Sequence, residues 1–341
     1  MNRKCFGRLI KTVILLISFA VIFYKIKAFY QNSAEELSEI LIPGNGIIIL
    51  LIAALMCLNW FLEAVKWKYL INDIQTISLF HSTHSVLVGI TAGLLTPKRL
   101  GEVGGRIVLL KRENQLKGIP AFALGSVIQT SVTALFGIVA GLFFIFNYTT
   151  HGLQNINLFL IIAGILLLML LFFIFNLPVT IKWLLRIPWL KKYQHLFNNL
   201  ASQSREKTAR LFGIGIMRYL TFSLQFFLLI RLFDQSAGIA ESFTGIGLTY
   251  FIMTFLPLSS LVELGVRGSV AGFIFGLFTI QAGSGVMAIL SLWVINLGIP
   301  AILGAFIVYH SEHIGAELSF LKSKVNLKPF FNRFSLTKKF K

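Results

Sequence analysis

Leu94-Leu95-Thr96-Pro97-Lys98-Arg99-Leu100-Gly101-Glu102-Val103-Gly104-Gly105-Arg106 stops an apolar run at a proline and follows it with a glycine-rich segment carrying a Glu and an Arg four residues apart. The pattern returns, slightly stretched, at Leu256-Pro257-Leu258-Ser259-Ser260-Leu261-Val262-Glu263-Leu264-Gly265-Val266-Arg267-Gly268. Each copy lies among long hydrophobic segments, where charge is costly. Broken, charged segments at corresponding places in two halves of a membrane protein point to a site built between the halves.

The surrounding composition supports a lipid solvent. The 341 residues are 56% hydrophobic and 13% charged, with a mean hydropathy of +0.80, whereas a soluble domain carries about a quarter charged residues. In lipid the backbone must satisfy itself, so helices are expected, broken only where protein or trapped water can bond the freed groups. Alternating ten-residue strands are absent, which excludes a β-barrel reading. The net charge of +18 comes from bases just outside apolar segments, where they set topology and meet anionic headgroups. Membrane lipid, and no nucleic acid, is therefore the expected partner. Cys5 and Cys57 are too far apart in sequence and environment to imply a disulfide or metal framework.

Six long apolar stretches predict spans over roughly 8–28, 46–70, 120–146, 156–178, 211–232 and 285–309. The first has the basic start of a signal peptide, but Lys25-Ile26-Lys27 follows it where a small-x-small cleavage pattern would stand, so it reads as an uncleaved helix. The apolar runs 85–96, 243–256 and 268–282 are shorter than the roughly 20 residues a span needs. Basic segments at the N-terminus, 98–117, 182–210 and the tail belong inside, and the poorly basic loops 29–45, 147–155 and 234–242 outside. These assignments agree if 85–110 dips in from the cytoplasm and 243–282 from the opposite side. The expectation is an all-α polytopic membrane protein with about six transmembrane helices, two opposed re-entrant hairpins and an inverted repeat. Two tilted spans over 243–282 would give eight crossings with the same end points. One transmembrane domain would cover 1–321, with halves at about 8–146 and 156–309, followed by a basic cytoplasmic tail over 322–341. Both termini would then be cytoplasmic.

Glu102 with Arg106, and Glu263 with Arg267, would share a helical face and could pair. An ionised group at bilayer depth costs about 2.5–3.5 kcal/mol, so pairing or a charged ligand is expected. Gly101, Gly104 and Gly105 would allow close backbone approach, and a half-helix after Pro97 would aim N–H groups inward, where they attract phosphate or carboxylate. Two readings are open: the pairs line a substrate path, or they only hold the hairpins shut. Polar stripes at Asn59/Glu63/Lys66, Ser126/Gln129/Thr130/Thr133 and Arg218/Thr221/Gln225 each fall on one helical face. Ser, Thr and Gln at such spacing also serve interhelical hydrogen bonding, but the charges of Glu63 and Arg218 need partners. The candidate substrate-binding residues are Arg99, Glu102, Arg106, Glu263, Arg267, Glu63, Arg218 and Gln129. His81/His84 and His310/His313 have loose spacing with no accompanying carboxylate or Cys set, so ordinary interfacial histidines are expected and no metal. Asp73 and Asp234 are the sole aspartates, and no Asp-x-Asp, P-loop or Gly-x-Ser-x-Gly pattern occurs. No cofactor and no enzyme activity are expected.

The block Asn59-Trp60-Phe61-Leu62-Glu63-Ala64-Val65-Lys66-Trp67, with Pro97 to Arg106 and Pro257 to Arg267, resembles the lysylphosphatidylglycerol synthase transmembrane-region family. The likeness runs from the first span to the sixth. It implies a bacterial inner-membrane, flippase-like protein with re-entrant segments and a cavity for a lipid headgroup. In fused relatives this region moves aminoacylated phosphatidylglycerol while a separate soluble domain makes the lipid. Here about thirty residues follow the sixth span, so synthase activity is not carried over. The second motif departs from a glycine-rich form at Ser259-Ser260-Leu261. The expected function is transfer between leaflets of a lipid with an anionic or zwitterionic, phosphate-bearing headgroup. The alternatives are a lipid-modifying membrane enzyme, or a scaffold, homo-oligomeric or docked to a cytoplasmic lipid-modifying enzyme.

Overall fold

A computed structural model describes residues 45–96, 99–148, 154–256, 263–278, 280 and 282–311. The expected span over 8–28 and the tail over 322–341 lie outside these residues. All regular structure among them is helical: α1 (Gly46–Ile71), α2 (Leu79–Leu94), α3 (Gly101–Ile107), α4 (Arg112–Tyr148), α5 (Gln154–Phe175), α6 (Leu177–Leu184), α7 (Arg205–Phe233), α8 (Ile239–Phe255), α9 (Glu263–Phe275), α10 (Ala282–Trp293) and α11 (Ile299–His310). Short helical turns at Pro188–Lys191 and Asn198–Ala201 precede α7. This is an all-α polytopic membrane protein. Among the described residues four helices are long and apolar enough to cross a bilayer: Gly46–Ile71, Arg112–Tyr148, Arg205–Phe233 and the continuous Gly283–His310. A fifth span results if Ile161–Phe175 and Leu177–Leu184 count as one, although they meet at 98°.

Several boundaries differ from the sequence expectation, each for a local reason. The helix expected to start at Pro120 begins at Arg112 and carries that proline inside it. Its extra turns are anchored by Gln75, whose Oε1 accepts from the Lys111 amide at 3.0 Å and from Asn114 Nδ2 at 3.4 Å. The helix expected to reach 178 breaks at Asn176. There Nδ2 donates to the Phe172 carbonyl at 2.7 Å and Oδ1 accepts from Arg205 at 2.6 Å, supplying partners at the bend. α7 starts at Arg205, earlier than the expected 211, because Ser204 caps it by accepting from the Lys207 amide at 3.1 Å. The second arm of the later hairpin is Glu263–Phe275, where the apolar run alone suggested 268–282.

α2 and α3 form the first hairpin. At about 1.5 Å per residue, the 16 residues of α2 fall short of a roughly 30 Å hydrocarbon core and the seven of α3 reach a third of it. The arms touch backbone to backbone. A Cβ on Gly105 would lie 2.6 Å from the Val88 carbonyl oxygen, and one on Gly101 would collide with the Ala92 carbonyl. Gly104, grouped with these two in the sequence, faces open space. α8 and α9 form the second hairpin, spaced differently: the Phe275 ring fills the positions where side chains on Gly245 and Gly285 would sit.

The hairpins enter from opposite ends of α4. The foot of the first is closed by His81 Nε2 at 2.8 Å from the Leu109 carbonyl and lies beside the start of α4. The foot of the second places Phe278 at 5.1 Å, ring to ring, from Tyr148 at the end of α4. α11 supports the first hairpin through Thr91, whose hydroxyl bonds the Ala301 carbonyl at 2.8 Å, and through Gly304 against the Leu87 carbonyl.

The glycine contacts predict a graded mutational series. Gly101→Ala and Gly105→Ala should each lower unfolding stability in detergent by about 1–3 kcal/mol through overpacking, whereas Gly104→Ala should be neutral or slightly stabilising. Equal losses at all three positions would contradict the backbone contact. In a background lacking Cys5 and Cys57, single cysteines at Lys111 and Ser236 should label from opposite faces of sealed vesicles. Labelling of both from one side would contradict the opposed entry.

Candidate functional site

A cavity of about 360 Å³ opens where α1, α4 and α7 meet the inner ends of both hairpins. α1 supplies Asn59, Glu63 and Lys66 at helical spacing. Glu63 lies eight residues, or about 12 Å, inside the basic end of α1. It is the hub. Its Oε1 is 2.7 Å from Arg106 Nη1, and its Oε2 is 2.7 Å from Lys66 Nζ and 2.9 Å from Arg218 Nη1. Arg106 turns its other terminal nitrogen to Glu102 at 2.6 Å, and Glu102 takes Arg99 at 2.9 Å. The Arg106 guanidinium also lies 5.7 Å from the Trp67 ring centre and 5.2 Å from that of Phe122, distances suited to cation–π attraction.

Seven of the eight candidates from the sequence line this cavity; Glu263 does not. It is buried just behind and accepts from Arg267 at 2.8 and 3.0 Å. Both expected Glu–Arg pairs are present, yet the two motifs are not equivalent. Arg106 is a buried clamp joining hairpin to α1, while among the described residues the Glu263–Arg267 ion pair stays within α9. Side-chain exposure separates clamps from presented groups: Arg106 and Lys66 are 5% and 4% exposed, whereas Arg99, Arg218 and Arg267 are 31%, 24% and 22%. Gln129 is a spacer among cations, its Oε1 accepting from Lys66 at 3.5 Å and Arg218 at 3.4 Å.

Two expectations are corrected here. The inward end of α3 does not offer a free anion-binding amide at its first residue, because the Gly101 N–H donates to Thr96 Oγ1 at 2.7 Å. The one-to-one Glu–Arg pairing expected of the two motifs does not describe the cavity, where cations are in surplus, because Lys66 and Arg218 converge on the same carboxylate as Arg106. Arg99 is also held at φ 55, the left-handed region that non-glycine residues seldom adopt. Its ion pair with Glu102 accompanies that conformation.

Sequence reasoning missed Asn296. It sits in a π-helical turn, Val294–Gly298, between α10 and α11, a feature frequent at functional sites. Asn296 Oδ1 accepts from Asn59 Nδ2 at 2.7 Å, and its own Nδ2 donates to Gln225 Oε1 at 2.7 Å. Gln225 donates on to the Ile52 carbonyl at 3.0 Å, and Arg218 Nε donates to Asn59 Oδ1 at 3.0 Å. The one signal available was a lone amide within an apolar run. Trp60, Trp67 and Tyr250 also line the cavity; as aromatics beside apolar runs they read as packing. Of the polar stripes, Thr133 and Thr221 turn back onto their own helices, donating to Gln129 and Met217 carbonyls.

The family model described as lysylphosphatidylglycerol synthase TM region matches residues 9–304. The chain belongs to this family. No curated protein matches it. The match of the lysylphosphatidylglycerol synthase TM region covers both hairpins, the polar face of α1 and Asn296. His81, His84 and His310 border a separate hollow at the hairpin foot, and among the described residues no His/Cys/Asp/Glu group suited to a metal occurs. His313 lies outside them.

Glu63→Gln should strand Lys66, Arg106 and Arg218 without their shared counter-charge and destabilise the fold by about 3–5 kcal/mol. Glu206→Gln, at an exposed pair with Arg210, should cost less than about 1 kcal/mol. Thermal unfolding in one detergent compares them, and equal small losses would contradict the hub.

Proposed function

We propose that this protein is a flippase-like transporter of a bacterial inner membrane, moving a phosphate-bearing lipid, either a phospholipid or a polyprenyl-phosphate-linked lipid, between leaflets. The termini would be cytoplasmic, on the side of the basic loops. The observation that carries this reading is a cation-rich cavity at the meeting point of two hairpins that enter from opposite ends of α4. A headgroup held there would lie between two barriers, each a short helical pair and not a full span. The second hairpin can shift without breaking the Glu63 hub, since Arg267 answers to Glu263 on its own helix. The protein would act as a carrier and not as an enzyme: both carboxylates lining the cavity are held by cations, an arrangement for binding more than for proton transfer. Family membership supports a lipid-related role.

Reconstitution into liposomes with headgroup-labelled lipids tests the proposal. At least one phosphate-bearing lipid should change leaflet faster than in protein-free vesicles. Arg218→Gln should slow it by about tenfold or more, the loss of one charge-assisted contact. No acceleration for any phospholipid or polyprenyl phosphate would overturn the reading.

A further inference from the structure

Five cationic side chains face or border the cavity: Lys66, Arg99, Arg106, Arg218 and Arg267. Three carboxylates answer them, Glu63, Glu102 and Glu263, leaving two positive charges in excess among the described residues. Such a surplus among membrane-spanning helices is costly unless a ligand brings the counter-charge.

The carboxylate and amide acceptors lining the cavity are already engaged. Both oxygens of Glu63 and both of Glu102 are in ion pairs. The amide oxygens follow suit: Asn59 accepts from Arg218, Gln129 from Lys66 and Arg218, and Asn296 from Asn59. Glu63 Oε2 apart, which the ion pairs hold, the cavity-lining atoms buried without a hydrogen-bond partner include three that can only donate, beside the Tyr250 hydroxyl, which can donate or accept. Trp60 Nε1, Trp67 Nε1 and Arg106 Nε are buried with no hydrogen-bond partner, and Trp67 is fully enclosed. Indole and guanidinium nitrogens can only donate. An ammonium, which also only donates, would have to share oxygens that already hold cations or amides, and would enter a field with two positive charges in excess. An ionised phosphate is the reverse, an acceptor on every free oxygen.

We infer that the cavity takes a lipid headgroup with two negative charges and no amine, a phosphomonoester, and turns away ammonium-bearing headgroups, aminoacylated phosphatidylglycerol included. The inference rests on the transport reading for its lipid source and goes beyond it in naming the charge class.

Binding to the purified full-length chain at about pH 8.5, where a phosphomonoester is largely doubly ionised, tests this with four dioleoyl lipids of identical tails. Phosphatidic acid should bind about tenfold more tightly than phosphatidylglycerol. Phosphatidylethanolamine should bind more weakly still, and lysyl-phosphatidylglycerol should show no measurable binding. Arg218→Gln and Arg267→Gln each remove one surplus charge while keeping an amide in place. Either should shrink the preference for phosphatidic acid over phosphatidylglycerol to about threefold or less. Equal binding of phosphatidic acid and phosphatidylglycerol, or binding of the lysyl lipid, would overturn the inference. Displacement of phosphatidic acid by an equal concentration of inorganic phosphate would assign the site to the free anion and overturn the lipid source. A failure of the transport reading looks different: the binding order holds, yet no lipid changes leaflet faster than in empty vesicles.

Discussion

One carboxylate inside the membrane holds three cations from three helices. Glu63 of α1 receives Lys66 from its own helix, Arg106 from the first hairpin and Arg218 from α7. Each of these charges alone would be expelled from a lipid interior or driven to neutralise. Together they form a network whose members cannot leave separately. The depth of the hairpin, the approach of α7 and the shape of the cavity all follow from that shared requirement. Apolar packing in lipid cannot supply it, since lipid tails compete for hydrophobic contact on equal terms.

Packing does supply the fit that lets the network close. Gly101 and Gly105 bring α3 against the α2 backbone, so that Arg106, one residue beyond Gly105, reaches α1 without a span behind it. The second hairpin is built on another principle, a Phe275 ring seated against Gly245 and Gly285. Through Gly285 the ring also ties this hairpin to α10. The two hairpins therefore share the Glu–Arg motif and differ in how they are held. The first joins the hub, and the second carries a self-contained ion pair.

Much of the fold was legible because lipid imposes simple rules. Hydropathy marked the spans over 46–70, 120–146, 211–232 and 285–309, and the distribution of bases implied hairpins of opposite entry. Boundaries were less legible. The start of α4 ahead of Pro120 depends on Gln75 bonding Lys111, and the bend at Asn176 depends on an arginine 29 residues away. Neither partner is visible from local pattern. The candidate site was legible as charge out of place, which is why Glu63, Arg106 and Arg218 were found and Asn296, neutral within an apolar run, was not.

The sequence by itself determined that this chain lives in a bilayer, that it is helical, and that two Pro-broken Glu–Arg segments matter, because an apolar solvent makes spans and misplaced charges unmistakable. It could not determine which cation answers which carboxylate. Arg106 reads as the partner of Glu102, four residues away, and it is; its second partner lies 43 positions upstream in α1. Only the tertiary structure brought Lys66, Arg106 and Arg218 to one carboxylate and thereby gathered separate charges into a positive cavity. The reason is physical: pairing along a helix is dictated by its 3.6-residue turn, whereas pairing between helices depends on how closely their backbones approach.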